Sequence, residues 1–321
     1  VVLAAMALLL GSACTAPGGT QNPSSSPSPA PEKKRIRLGV LPVLGAAPLH
    51  LAIKEGAFAR EGLEVDLVTI QGAGAAIPDL ATGNLDIVFG NYVSFFTAEV
   101  KQTAKVKLVA DGYFAKPNTW MVLSGPNSRL SKPTDLVGKK VAVTTTNSLA
   151  DLTIKSTVSA NGGDEKSITF VEMPYTEMGE ALNARRVDAA LLSEPFITET
   201  MKKIGALPVF DAASGPTADI AISGYATTEE FATSSPKTVA AFQRALSTGV
   251  DIANRDRSKV EAALIGYSGI DQQTASILTL VGFPGMLEPE RIQRVPDLMH
   301  SYGTLERRLD VKPMIIPHAK R

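Results

Sequence analysis

Cysteine is all but missing from this chain. Cys14 is the only one in 321 residues, so no intramolecular disulfide can form and no thiolate cluster can hold a metal. The three histidines, His50, His300 and His318, fall at no ligand spacing. Aromatic residues reach only 6%, which argues against a stacking surface for single-stranded nucleic acid. Neither sign of charge is in excess: 32 Lys plus Arg stand against 32 Asp plus Glu. No net field therefore draws the chain toward nucleic acid or an anionic membrane. The amino-terminal apolar run Val1–Leu10 is too short to span a bilayer. Catalytic signatures are missing as well. No Gly-x-Ser-x-Gly elbow occurs. Gly72-Ala73-Gly74 begins like a dinucleotide fingerprint, but Ile77 stands at its third glycine. Gly138-Lys139-Lys140 resembles the end of a P-loop, yet Pro133 occupies the first glycine position. No cofactor is expected.

What is present is an alternation of short apolar runs and helical periods. At this length two lobes are expected rather than one core. Ile36–Leu41 is continuous and apolar, as a buried parallel strand should be. Pro42 and Gly45 break it, and Pro48 falls at the first turn of a helix whose apolar face recurs at Leu49, Ile53, Ala57 and Phe58. Leu63–Ile70 reads as a second strand, Gly72–Gly74 opens a second helix, and Leu85–Phe89 is a third strand. This order predicts one parallel sheet with right-handed crossovers. The loops Gly45–Pro48, Gly72–Gly74 and Gly90–Tyr92 then share its carboxyl edge, where open α/β sheets bind ligands.

The pattern recurs further on. Val106–Ala110 and Trp120–Leu123 read as strands, followed by a strand within Gly138–Thr146, a helix over Leu149–Ala160, a strand over Ile168–Met173, a helix over Thr176–Ala184 and a strand over Ala189–Leu192. Leu80 to Val88 (LATGNLDIV) and Leu182 to Ala190 (LNARRVDAA) both end a helix, turn, and place an Asp, Asp86 or Asp188, before a strand. The fold class is thus α/β, with two similar lobes of parallel-rich sheets joined by a hinge. Lobe one is expected over residues 36–120 plus 226–321 and lobe two over 121–225, with crossings near Trp120–Ser124 and Ser223–Thr227. Helices are expected over Ser258–Gly266, Asp271–Val281 and Pro289–Tyr302, after one opened by Ser235-Pro236. Residues 303–321 show no strong pattern.

The stretches GAAPLHLAIKEGAFAREGLEVDLV and GAGAAIPDLATGNLDIVFGNY carry a resemblance. They are similar to the substrate-binding proteins of bacterial ABC importers, in the subgroup that handles sulfonates, nitrate, taurine and thiamine-pyrimidine precursors. More loosely, the likeness runs from Ile36 to about Gly303. It implies the type II periplasmic-binding-protein fold, a monomer, a small-molecule ligand, and a membrane permease with its ATPase as partners. The same fold family includes a thiamine-pyrimidine synthase that relies on a cysteine-rich motif; with Cys14 alone, this chain is read as a binder and not an enzyme. A lipoprotein whose lobes serve only as a docking surface is the third reading. Gly11-Ser12-Ala13 before Cys14 resembles a bacterial lipobox. Residues 1–14 are therefore read as a signal peptide with Cys14 as the lipidation site, the alternative for Cys14 being a small buried residue. Residues 15–35, rich in proline and serine, are read as a disordered tether. Together these place the protein outside the cytoplasm, held to the membrane by lipid alone.

Candidate ligand contacts follow from the loops. Gly72, Ala73 and Gly74 either permit a turn or touch ligand. Gly45, Ala46 and His50 border the first helix, with His50 as a wall of the cleft. Asn91 and Tyr92 sit at the switch point. Trp120 is either core or a stacking platform. Thr144, Thr145, Thr146 and Asn147, with Ser148, exceed what capping one helix requires. Glu194 is a rim charge, a hinge anchor or the partner of a ligand amine. The leading ligand is a small polar anion or zwitterion, sulfonate-like, met by neutral donors; the rival is an aromatic heterocycle such as a thiamine-type pyrimidine.

Overall fold

The apolar runs become ten strands in two separate sheets in the computed structural model, which describes residues 1–2 and 30–319. Cys14 and most of the expected tether lie outside the described residues. In chain order the first lobe begins with β1 (Arg35–Val40), α1 (Ala47–Lys54), α2 (Ala57–Arg60), β2 (Glu64–Thr69), α3 (Ala73–Ala81), β3 (Ile87–Asn91), α4 (Tyr92–Val100) and β4 (Val106–Phe114). The second holds β5 (Trp120–Ser124), β6 (Lys140–Val143), α5 (Leu149–Ala160), β7 (Thr169–Glu172), α6 (Tyr175–Asn183), β8 (Ala189–Ser193), α7 (Phe196–Ile204) and β9 (Leu207–Asp211). The chain then returns through β10 (Ala221–Thr228), α8 (Glu229–Ser234), α9 (Pro236–Arg255), α10 (Arg257–Ser268), α11 (Gln272–Ile277) and α12 (Pro289–Ser301).

The sheets run β2-β1-β3-β10-β4 and β7-β6-β8-β5-β9. In each, three strands are parallel and the fourth enters antiparallel. The repeated Asp explains part of this likeness. Asp86 Oδ2 accepts from Arg37 N at 2.9 Å, and Asp188 Oδ2 accepts from Lys140 N at 2.8 Å. Each thereby clips the start of the third parallel strand of its lobe, β3 or β8, to the first, β1 or β6. Lobe one is filled by Phe89, Tyr92, Phe95, Phe96, Tyr225 and Phe242, all essentially fully buried. Burial on that scale contributes about 1.5–3 kcal/mol per large side chain.

Two expectations need correction. The crossings do not lie within Trp120–Ser124 and Ser223–Thr227. β5 is an internal strand of the second sheet, while β10 lies between β3 and β4 in the first. Segments 115–119 and 212–220 therefore pass between the sheets. Ala221–Thr228 is small-residued and buried along most of its length, and no local pattern reveals which distant strands it will pair with. The helix expected over Asp271–Val281 stops at Ile277. Leu278 turns extended, and the freed chain donates Thr279 N to Glu194 and offers Gly282 O to Phe114 N. Helices α4, α7 and α8 and strands β9 and β10 were not anticipated.

Where the chain enters the fold it is clasped from both sides. Glu32 accepts from the first turn of α9, at Lys237 N (3.2 Å) and Thr238 N (2.9 Å). Lys33 Nζ pairs with Asp86 Oδ1 at 2.7 Å.

Candidate functional site

The carboxyl edges of the parallel strands of both sheets face one another, and a cavity lies between them. It is lined by Leu41, Val43, Gly72, Ala73, Phe89, Asn91, Tyr113, Trp120, Thr144, Ser148, Leu149, Ala150, Tyr175 and Ser223. None of these side chains is charged. The lobes are closed on it, leaving about 30 Å³, room for about two waters. A larger guest needs the lobes to part.

Helices α3, α4 and α5 start at this cavity. Gly72 caps α3 in an extended conformation (φ −175°) that any residue could adopt. Space is what demands glycine: a Cβ there would lie 2.9 Å from Thr145 Cγ2 of the other lobe. Asn91 caps α4 by accepting from Ser94 N at 3.0 Å, and the same Oδ1 reaches Leu149 N of α5 at 3.4 Å. Ser148 caps α5, accepting from Ala150 N at 3.3 Å, while Asp151 accepts from Ser148 N at 2.6 Å. The positive ends of the helix dipoles thus converge from both lobes, with Ser94 N, Leu149 N and Ala150 N already taken up by Asn91 and Ser148. Thr145 Oγ1 is buried at the seam with no hydrogen-bond partner. Trp120 forms a wall, its Nε1 donating to Thr153 Oγ1 at 3.0 Å. Tyr113 and Tyr175 also line the cavity. Burial pushes the Tyr113 hydroxyl up to about 12 and raises that of Tyr175 well above the usual phenol range, so both remain neutral hydrogen-bonding groups.

Of the residues singled out from sequence, Gly72, Ala73, Asn91, Trp120 and Thr144 line the cavity, and Gly74 and Thr145 form the seam beside it. Others are placed elsewhere. Tyr92 points into lobe one, where its hydroxyl donates to Asp111 Oδ1 at 2.6 Å. His50 stacks on Tyr267 with ring centroids 3.8 Å apart, and burial lowers its pKa to about 4. Gly45 lies against the Tyr113 ring, where an added Cβ would be 2.2 Å from Tyr113 Cδ1, and Ala46 is buried beside it. Thr146 turns outward, its N and Oγ1 both bound to Glu172 Oε1 at 2.6 Å. Asn147, left-handed at φ 51°, fronts the outer groove. Glu194 does not line the cavity. Its carboxylate accepts from Thr198 Oγ1 and N and from Thr279 N, and its backbone O accepts from Leu44 N of lobe one at 2.8 Å. The anchor reading fits that placement better than the ligand-amine one.

Sequence reasoning missed Leu41, Val43, Phe89, Tyr113, Leu149, Ala150, Tyr175 and Ser223. Most stand at the last residues of a parallel strand or at the start of a helix that follows one. Ser223 lies near the start of an antiparallel strand instead, a position legible only once the strand order is known.

A profile of the NMT1/THI5-like family matches residues 45–258, more than half of the chain. The chain belongs to that family. No curated protein matches this NMT1/THI5-like chain, but solved structures do. The alkanesulfonate-binding protein SsuA from Xanthomonas axonopodis pv. citri, bound to MOPS, aligns at TM-score 0.73 and 18% identity over 89% of this chain and 99% of that one. The periplasmic nitrate-binding protein NrtA from Synechocystis gives 0.75 and 15% over 89% and 86%. The periplasmic aliphatic sulphonate binding protein SsuA from Escherichia coli gives 0.69 and 16% over 88% and 98%. At these identities the likeness is one of fold: this NMT1/THI5-like chain has the two-lobed α/β architecture of periplasmic binding proteins. Among the described residues no helix is long and apolar enough to cross a membrane.

Proposed function

We propose that this chain is the extracytoplasmic solute-binding lipoprotein of an ABC importer. It captures a small polar anion or zwitterion, with an aliphatic sulfonate as the leading case, and delivers it to a membrane permease whose partner ATPase supplies the energy. One observation carries the ligand reading: the amino termini of α3, α4 and α5 converge from both lobes on a cavity whose lining bears no charge. Helix starts and hydroxyls hold anions without a cationic side chain. Micromolar affinity needs about 8 kcal/mol, and each hydrogen bond to a charged group contributes about 1.5–3 kcal/mol, so several neutral donors suffice. Nothing in the cavity acts as a nucleophile with a base beside it, and we read the chain as a monomeric binder rather than an enzyme.

The aromatic walls, Phe89, Tyr113, Trp120 and Tyr175, favour a second reading, a stacked heterocycle. That reading lacks the carboxylate it needs, since Glu194 stands outside the cavity. A thermal-shift panel of ethanesulfonate, taurine, nitrate and aminopyrimidines separates the two. The anion reading expects stabilisation by the sulfonates or nitrate, lost in Thr144→Val and largely kept in Trp120→Leu. Stabilisation by pyrimidines alone, lost in Trp120→Leu, would reverse the assignment.

The anchor has its own test. Cys14→Ala is expected to release the protein from the membrane fraction while its ligand affinity in solution stays unchanged. A variant that stays membrane-bound rules out lipidation at Cys14.

A further inference from the structure

Glu194 is only 1% exposed, and neutral groups alone surround its carboxylate. Thr198 Oγ1 donates at 2.8 Å, Thr198 N at 3.2 Å and Thr279 N at 3.3 Å. Burial without a counter-charge raises the carboxyl pKa, and these three donors offset part of that rise. Its position makes the remaining rise consequential. It sits between β8 and α7 of lobe two, yet its backbone O is held by Leu44 N of lobe one. Thr279 follows α11 on the strand-like segment that returns to β4 at Gly282. Parting the lobes would break the Leu44 bond and open this corner to water.

We propose that Glu194 couples closure of the two lobes to proton uptake, holding a proton more readily when they are closed than when they are open. This rests on the reading of the chain as a binder that closes on its ligand. Burial is the leading cause that raises the carboxyl pKa in the closed form; in the open form it returns toward about 4.3. The sign follows from linkage. Closure is unpenalised below the open-state value, and it loses free energy as pH rises toward the closed-state value. Affinity, which requires closure, falls over the same window.

The ionisable groups on the elements packed nearby do not supply this dependence. On α7, Glu199 pairs with Lys203 and Lys202 with Asp271, whose pKa is lowered to about 2. On α1, Lys54 is exposed and His50 is held near 4. Tyr113 of β4, Tyr175 of α6 and Tyr267 of α10 are raised by burial. Asp111, held to Tyr92 within lobe one, is raised by burial to about 7 and needs a control.

The test is small-angle scattering of the ligand-free, unlipidated protein at pH 5 and pH 8. The wild type is expected to have the smaller radius of gyration at pH 5. Glu194→Gln should stay compact at both, and Asp111→Asn should follow the wild type. Should Glu194→Gln not fold, Thr198→Val, which removes a donor to the ionised form, is expected to widen the difference. Equal wild-type radii, or a Glu194→Gln variant that tracks the wild type, overturn the proposal. Failure of every anion in the thermal-shift panel would count against the ligand class and leave this scattering result standing.

Discussion

Gly72→Ala is expected to weaken ligand binding by about 10- to 100-fold and to leave the fold intact. The added Cβ would lie 2.9 Å from Thr145 Cγ2 and 3.6 Å from Thr144 Oγ1, both on the opposite lobe. Overpacking of this kind costs about 1–3 kcal/mol, and 1.4 kcal/mol is a factor of ten in affinity. The cost falls on the closed form alone, because parting the lobes removes the clash. Backbone strain contributes nothing, since φ is −175°. Thr145→Ser removes the clashing methyl and should rescue Gly72→Ala in a double-mutant cycle. Calorimetric affinity for a binding sulfonate reads both. Unchanged affinity in Gly72→Ala, or no recovery in the double variant, would show that this seam does not limit closure.

Gly249→Ala is expected to destabilise the fold by about 2 kcal/mol. Gly249 lies in α9 where that helix crosses α1, and its Cβ would sit 1.9 Å from Pro48 O and 3.0 Å from Ala52 Cβ. In a helix interior alanine gains about 1 kcal/mol over glycine. Here the obstacle is backbone, which cannot rotate aside, so overpacking exceeds that gain. Gly266→Ala in α10 is the matched control. No atom lies within 4 Å of its added Cβ, and this variant should gain up to about 1 kcal/mol. Urea unfolding of the two variants should move in opposite directions. Stabilisation of both would mean that α1 and α9 pack less closely than described.

The sequence was most informative where the structure is local. Leu149–Ala160 was bounded to the residue, because Ser148 and Asp151 are a capping pair and the apolar period is unbroken. The Asp86 and Asp188 repeat was visible as a motif, and it proved to mark the same clip in both lobes. The carboxyl-edge loops led to Gly72, Asn91, Trp120 and Thr144. What stayed hidden depends on pairing over long separations. β10 joins the first sheet more than a hundred residues after β4, so Ser223 gave no local sign of its place. Tyr92 was misplaced, and Glu194 was left among three readings, for a related reason. A polar group at a strand end points either into the cleft or back into its lobe, and what decides is a distant partner, Asp111 for one and Thr279 for the other.

The clasp at the chain's entrance sets how a pull on the amino-terminal side enters the fold. β1 begins at the edge of the first sheet opposite the cleft, flanked by β2 along its length and by β3 at Leu38 and Gly39. A pull from the amino-terminal side of Ala30 reaches Glu32 on α9 and Lys33 on Asp86 before it reaches β1. Beyond those bonds, force runs along β1 in shear, loading the bonds to both neighbours together. Segments 115–119 and 212–220 lie off that path. Were the chain tethered as proposed, such a pull would be borne by lobe one and would leave the segments between the lobes unloaded.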